Sequence, residues 1–188
     1  MGPALSCNHP AGKIVIIGVG NLLLKDEGVG VHVAQELQKK TWPLSVEVHD
    51  GGVAGIGLLD FFAGASKVLL IDAAEMNLEA GSVVRFTPED VAGKAGGPRF
   101  SAHDIGLLEV LELSRALAQC PAEVVILGIQ PKEISWGMEL SPEVQASIPK
   151  AVEMVLGEVL PSARNAGCRG SPKRTRFAHR AERLHRNE

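Results

Sequence analysis

Apolar positions along the chain follow two different periods, and their alternation predicts the architecture. Residues 13–18 (KIVIIG), 67–72 (KVLLID) and 123–129 (EVVILGI) are continuous apolar runs rich in β-branched side chains, the pattern of strands covered on both faces of a parallel sheet. Residues 44–50 (LSVEVHD) alternate instead, Val46 and Val48 against Glu47 and His49, which predicts a half-exposed edge strand. Helical spacing marks residues 28–40, 56–64, 102–119 and 142–160, the last carrying Val144, Ile148, Val152, Val155 and Val159 on one face. Residues 82–87 (SVVRFT) follow the preceding strand after about nine residues, too few for a crossover helix, so this strand is predicted antiparallel. The expected fold is an α/β three-layer sandwich, mostly parallel with one antiparallel edge strand and right-handed crossovers. Ligand sites in such folds gather at the carboxyl ends of the central strands.

Composition narrows the function. With 188 residues, 45% apolar and 22% charged, the chain fits one cored domain. Aromatic residues are only 4%, without a single Tyr, which argues against a base-stacking nucleic-acid surface. No uncharged apolar run approaches a membrane span, and the first dozen residues lack a secretory core, so a cytoplasmic protein is expected. Cys7, Cys120 and Cys168 are scattered, matching neither a disulfide framework nor a zinc knuckle. The net charge of -3 hides a split: residues 161–188 hold eight Lys/Arg against two Glu, leaving an acidic body. That tail has almost no apolar periodicity and is expected to be disordered. The organisation expected is a flexible extension at 1–12, one domain at 13–160 and a basic tail at 161–188.

Chemistry can sit at three strand ends. The first opens Gly18-Val19-Gly20, but Leu23 stands where a dinucleotide fingerprint needs its third glycine. The loop offers instead the acidic pair Asp26 and Glu27 at the helix entry. Asp26 reads as an N-cap, replaceable by Asn at little cost, and Glu27 as either a dipole-complementing first-turn carboxylate or a metal ligand. The second strand end is Asp50-Gly51-Gly52, where a tight turn accounts for the aspartate. The third is Asp72, a carboxylate closing a fully apolar strand, which needs a cation, a metal or a polar network nearby. Ser101 and Asp104 form a capping box that places His103 in a first helical turn, where the helix dipole keeps the imidazole neutral and available to a metal. His32 and His49 read as structural or solvated. Chain order and crossover handedness put Glu27, Asp72 and His103 on one rim, a donor set suited to nickel or zinc with coordination positions left open.

Four stretches, 18–30 (GVGNLLLKDEGVG), 50–59 (DGGVAGIGLL), 101–107 (SAHDIGL) and 128–141 (GIQPKEISWGMELS), taken together resemble the endopeptidases that mature the large subunit of nickel-iron hydrogenases. The likeness extends over residues 13–160. It departs at Ala80, where proline is common in the family, and in the two terminal segments. The resemblance implies a phosphorylase/hydrolase-like fold and puts Glu27, Asp72 and His103 on the family's metal-binding positions. It implies a monomeric enzyme, grouped with aspartic-type peptidases, that removes a C-terminal extension from a hydrogenase large-subunit precursor already loaded with nickel. Cadmium or zinc would serve as surrogate metals in vitro. Glu27 and Asp72 are then the candidate catalytic carboxylates, with Asp50 as an auxiliary. Substrate nickel acts either as a recognition mark, while a carboxylate activates water, or as the group that polarises the scissile carbonyl. The absence of an H-E-x-x-H motif favours the first. Two other readings stand beside this one: a nucleotide-binding α/β module with Asp50 as ribose acceptor, and a non-catalytic nickel metallochaperone using the same triad.

Overall fold

The computed structural model describes residues 12–92, 99–100 and 107–160. The expectations for the N-terminal extension, the basic tail, the Ser101 capping box and His103 lie outside the described residues. Among the described residues six strands form one sheet: β1 (Ile14–Val19), β2 (Val46–Gly52), β3 (Lys67–Glu75), β4 (Val83–Phe86), β5 (Arg99–Phe100) and β6 (Glu123–Ile129). Their order is β2-β1-β3-β6-β4, with β5 pairing β3 away from this path. The β1, β2, β3 and β6 ladders are parallel. β4 runs antiparallel on β6 at one edge, and β2 occupies the other, as the nine-residue connection and the alternating pattern predict.

Period-two alternation sorts the strand residues between two helical layers. Ile16, Leu69, Ile71, Val125 and Leu127 pack with α1 (Val29–Gln38) and α5 (Pro142–Val159). Val15, Ile17, Val68, Leu70, Val124 and Ile126 pack on the opposite face with α2 (Leu58–Phe62) and α4 (Leu107–Ala116). A short α3 (Pro88–Ala92) follows β4 and contributes Val91 to the second layer. Each fully buried branched side chain in β3 is worth about 1.5–3 kcal/mol, which makes this strand the centre of both cores. At the amino-terminal rim, Lys67 bonds Glu123 and Glu158, and Glu158 also bonds Arg85, tying β3, β6, α5 and β4 together. No helix among the described residues is long and apolar enough to cross a membrane.

One expectation is corrected. β3 does not end at Asp72: it continues to Glu75, where Ala74 and Glu75 pair antiparallel with Phe100 and Arg99 of β5. His49 takes the structural one of the two roles expected for it, its ring 4.8 Å from that of Phe61 and its Nε2 3.1 Å from Glu47.

Glycines decide how close α1 comes to the sheet. A Cβ at Gly18 would overlap the carbonyl of Gly30, and a Cβ at Gly30 would overlap the carbonyls of both Ile71 and Val19. Gly30→Ala should therefore force α1 off the strand ends and destabilise the fold by about 1–3 kcal/mol. Urea unfolding should show a lower midpoint at unchanged slope, and an unaltered midpoint would contradict this packing.

Candidate active site

The segment between β1 and α1 folds over the carboxyl end of β1. Gly20 has φ +141°, and a Cβ there would overlap the carbonyl of Glu27. The chain then enters a 3-10 turn, Lys25–Gly28, which packs against β3. Glu27 in this turn is 5% exposed. Asp72 is also 5% exposed, and the strand register shows why it sits at a rim although β3 continues past it. The last β1 partner of β3 is Gly18, opposite Ile71, while Asp72 pairs only with Gly128 of β6. Asp72 is thus the first β3 residue beyond the end of the β1 ladder, where the turn carrying Glu27 comes in. Alternation puts Asp72 on the same face as Leu70, the face covered by α2 and α4.

Asp26 is not an N-cap. The residue preceding α1 is Gly28, with no side-chain cap. Asp26 is instead fully buried and accepts four hydrogen bonds from the segment after β6: the amides of Lys132 and Glu133 at 2.9 Å, the amide of Ser141 at 2.7 Å and the Ser141 hydroxyl at 2.9 Å. Burial alone would raise its pKa, but the Ser141, Glu133 and Lys132 amides and the Ser141 hydroxyl outweigh that and hold it below the ordinary carboxylate value. Backbone pairing extends the clamp, with Lys25 N–H donating to Gly137 at 2.8 Å and Gly137 N–H to Leu23 at 3.0 Å.

Gln130 performs a similar task for the segment after β3. It is 4% exposed, accepts from the amides of Met76 and Leu78, and donates to Glu75 and to the Pro131 carbonyl. Gly81 donates to the Gln130 carbonyl, has φ +79°, and sits where a Cβ would overlap the Glu143 carbonyl. Local pattern marks Asp26 only as a cap and does not mark Gln130, since their partners across the fold lie 106–115 and 52–55 residues away in the chain.

Of the residues singled out from the sequence, Glu27 and Asp72 come to one rim. His103 is outside the described residues, and among those described no three His, Cys, Asp or Glu side chains cluster as a metal site. Asp50 is exposed at the end of edge strand β2, its Oδ1 accepting the Gly52 amide at 2.9 Å, the tight turn expected there. His32 is half-buried on α1 with its Nε2 enclosed; burial lowers its pKa and the nearby Glu36 opposes that. It is a structural histidine.

A mostly parallel sheet covered on both faces, with two enclosed carboxylates where the β1–β3 ladder ends, defines an α/β protein with an acidic strand-end site. The family profile described as HycI, hydrogenase maturation protease, matches residues 31–158. The hydrogenase expression/formation protein HupD of Thiocapsa roseopersicina is 35% identical over 147 residues, 77% of this chain and 66% of that protein. The hydrogenase 2 maturation protease of Escherichia coli is 30% identical over 162 residues, 86% of this chain and 96% of that one. Among solved structures, the hydrogenase maturating endopeptidase HybD from E. coli aligns with TM-score 0.68 at 31% identity, covering 78% of this chain and 91% of that chain. HybD from Thermococcus kodakarensis, a NiFe hydrogenase maturation protease, aligns with TM-score 0.69 at 32% identity over 78% of this chain and 99% of that chain. The chain belongs to the hydrogenase maturation protease family.

Asp26→Asn replaces one acceptor oxygen by an amide that faces backbone donors, so it should cost about 1.5–3 kcal/mol at pH 7. The folded pKa of Asp26 is depressed, so its contribution is full above the unfolded value of about 4 and is lost as pH falls through the folded one. Urea titrations at pH 7 and pH 3 should show the gap between wild type and variant narrowing in acid. A small, pH-independent difference would restore the N-cap reading.

Proposed function

We propose that this protein is an endopeptidase that removes the C-terminal extension of a nickel-loaded hydrogenase large-subunit precursor, with substrate nickel held by Glu27, Asp72 and His103. The observation that carries the reading is the arrival of two enclosed carboxylates, from the turn before α1 and from β3, at the point where the β1 ladder stops. Two carboxylates gathered at one rim repel each other, and a divalent cation relieves that repulsion. An imidazole nitrogen beside two carboxylate oxygens makes a donor set for a borderline ion such as nickel. Three protein donors leave coordination positions for the precursor's own ligands. The names of the relatives support the substrate class, since the E. coli protein is named for maturing hydrogenase 2.

In this mechanism the nickel is cargo of the substrate and serves as the mark that the precursor is loaded. A carboxylate accepts a proton from the attacking water at the scissile bond, the sense in which the enzyme groups with aspartic-type peptidases. Glu27 and Asp72 are the candidates for this role, with Asp50 as an auxiliary at the end of the neighbouring strand. Gly18, Gly20 and Gly30 set the height of the Glu27 turn over the strand ends, and Asp26 holds that turn against the segment after β6.

Purified protein incubated with nickel-loaded and nickel-free precursor, with chain length read by mass spectrometry, should shorten only the loaded form. Glu27→Gln and His103→Ala should keep the circular dichroism spectrum, weaken nickel or cadmium binding and slow cleavage by about 100-fold or more. Near wild-type cleavage by either variant would remove that residue from the triad. Binding of loaded precursor without shortening would make the protein a metallochaperone.

A further inference from the structure

Large apolar side chains at the surface are usually scattered singly, and Leu44, Leu117 and Leu160 in this protein are of that kind, each set apart in the chain at the end of a helix or before β2. A different arrangement occurs beside the candidate site. Leu23 is 51% exposed, Ile134 52%, Trp136 80% and Met138 65%. They come from two chain segments joined by a parallel bridge between Leu24 and Gly137, which places the backbone of Leu23 beside that of Trp136. The bridge leads directly into the 3-10 turn that carries Glu27.

Exposure of a tryptophan to this degree in a loose loop would mean little, but this segment is built. Asp26 receives the amides of Lys132, Glu133 and Ser141, the Ser135 hydroxyl donates to Glu133 at 2.7 Å, and the Lys25 stem lies across Gly137, where a Cβ would press on it. The charges bordering it are largely spent in pairs, Lys25 with Glu133 at 2.6 Å and Lys132 with Glu143 at 2.7 Å. What the segment offers to a partner is apolar area around a rigid aromatic, with one further carboxylate, Glu139. Exposed clusters of this composition mark interaction sites. Trp is also the side chain most enriched among residues that dominate binding energy.

The geometry points to a docking ledge for the protein substrate: Leu23, Ile134, Trp136 and Met138 receive an uncharged apolar segment of the precursor next to the turn bearing Glu27. This inference rests on the peptidase reading above and adds where the precursor is gripped. The paired charges single out a neutral apolar segment over a basic or acidic one, because such a segment makes contact without breaking either ion pair. The adaptable thioether of Met138 suits an apolar surface of irregular shape.

The test is steady-state cleavage of nickel-loaded precursor by wild type, Trp136→Ala, Met138→Ser and, as a control, Leu44→Ala. Leu44 is fully exposed ahead of β2, at the opposite rim of the sheet. Trp136→Ala should raise KM about tenfold or more while kcat at saturating precursor stays within about twofold of wild type. Met138→Ser should raise KM less, Leu44→Ala should leave it unchanged, and all three should keep the wild-type melting curve. Cleavage by wild type with an unchanged KM in Trp136→Ala would overturn the ledge and leave the peptidase standing. No cleavage by wild type would remove the peptidase reading instead. A concentration-dependent dimer that Trp136→Ala converts to monomer, with KM unaltered, would assign the ledge to a second copy of this chain and overturn the proposal.

Discussion

The carbonyl oxygens of Val19 and Ile71 occupy the space that a Cβ at position 30 would need, and the Gly30 carbonyl occupies the space that one would need at position 18. This mutual approach of α1 to β1 and β3 is available only to residues without side chains. It sets the distance between the first helical layer and the strand ends, and so fixes where the preceding turn can lie. Because the β1–β3 ladder stops at Ile71 while the β3–β6 ladder runs two residues further to Ala73, the turn enters a gap that the sheet leaves open. Glu27 arrives there from above and Asp72 from the strand below.

Three acidic residues are taken out of solvent in this small region, and they are stabilised differently. Asp26 is met by three amides and a hydroxyl, an arrangement that favours the carboxylate over its protonated form. Its bonds reach across the site to the segment between β6 and α5, so one carboxylate organises two loops at once. Glu27 and Asp72 are enclosed where the turn meets the sheet. The neighbouring residues Asp26 and Glu27 therefore differ in surroundings: the first anchors the turn to the segment after β6, and the second lies in the turn beside β3.

The two rims of the sheet are built on different principles. At the amino-terminal rim, long side chains form the ion-pair group of Lys67, Glu123, Glu158 and Arg85, partly solvated and tolerant of small shifts. At the carboxyl rim, short directional bonds to backbone amides from Asp26 and Gln130 define the loop positions within narrow limits. A site that acts on another protein needs that definition, since its contact area extends beyond the reacting groups. The apolar residues around Trp136 gain their fixed position from the same bonds.

The pattern of the chain alone determined the strands β1, β2, β3, β4 and β6, the parallel direction of the central ones, the antiparallel β4, the edge position of β2 and the helices α1, α2, α4 and α5, but neither β5 nor α3. These follow from hydrophobic period and connection length, which are local properties. It also marked Asp72, because a carboxylate ending an apolar run is conspicuous wherever the strand comes to lie, and Glu27 as one of the acidic pair at the entry to α1. Tertiary structure decided the rest. That Asp26 is a clamp and not a cap, that β3 runs on past Asp72 to meet β5, and that Gln130 holds the loop after β3 all depend on partners far away in the chain. Hydrogen bonds of this kind leave no period behind them, since each partner's place is set only when the crossovers have brought the strand ends and their loops together.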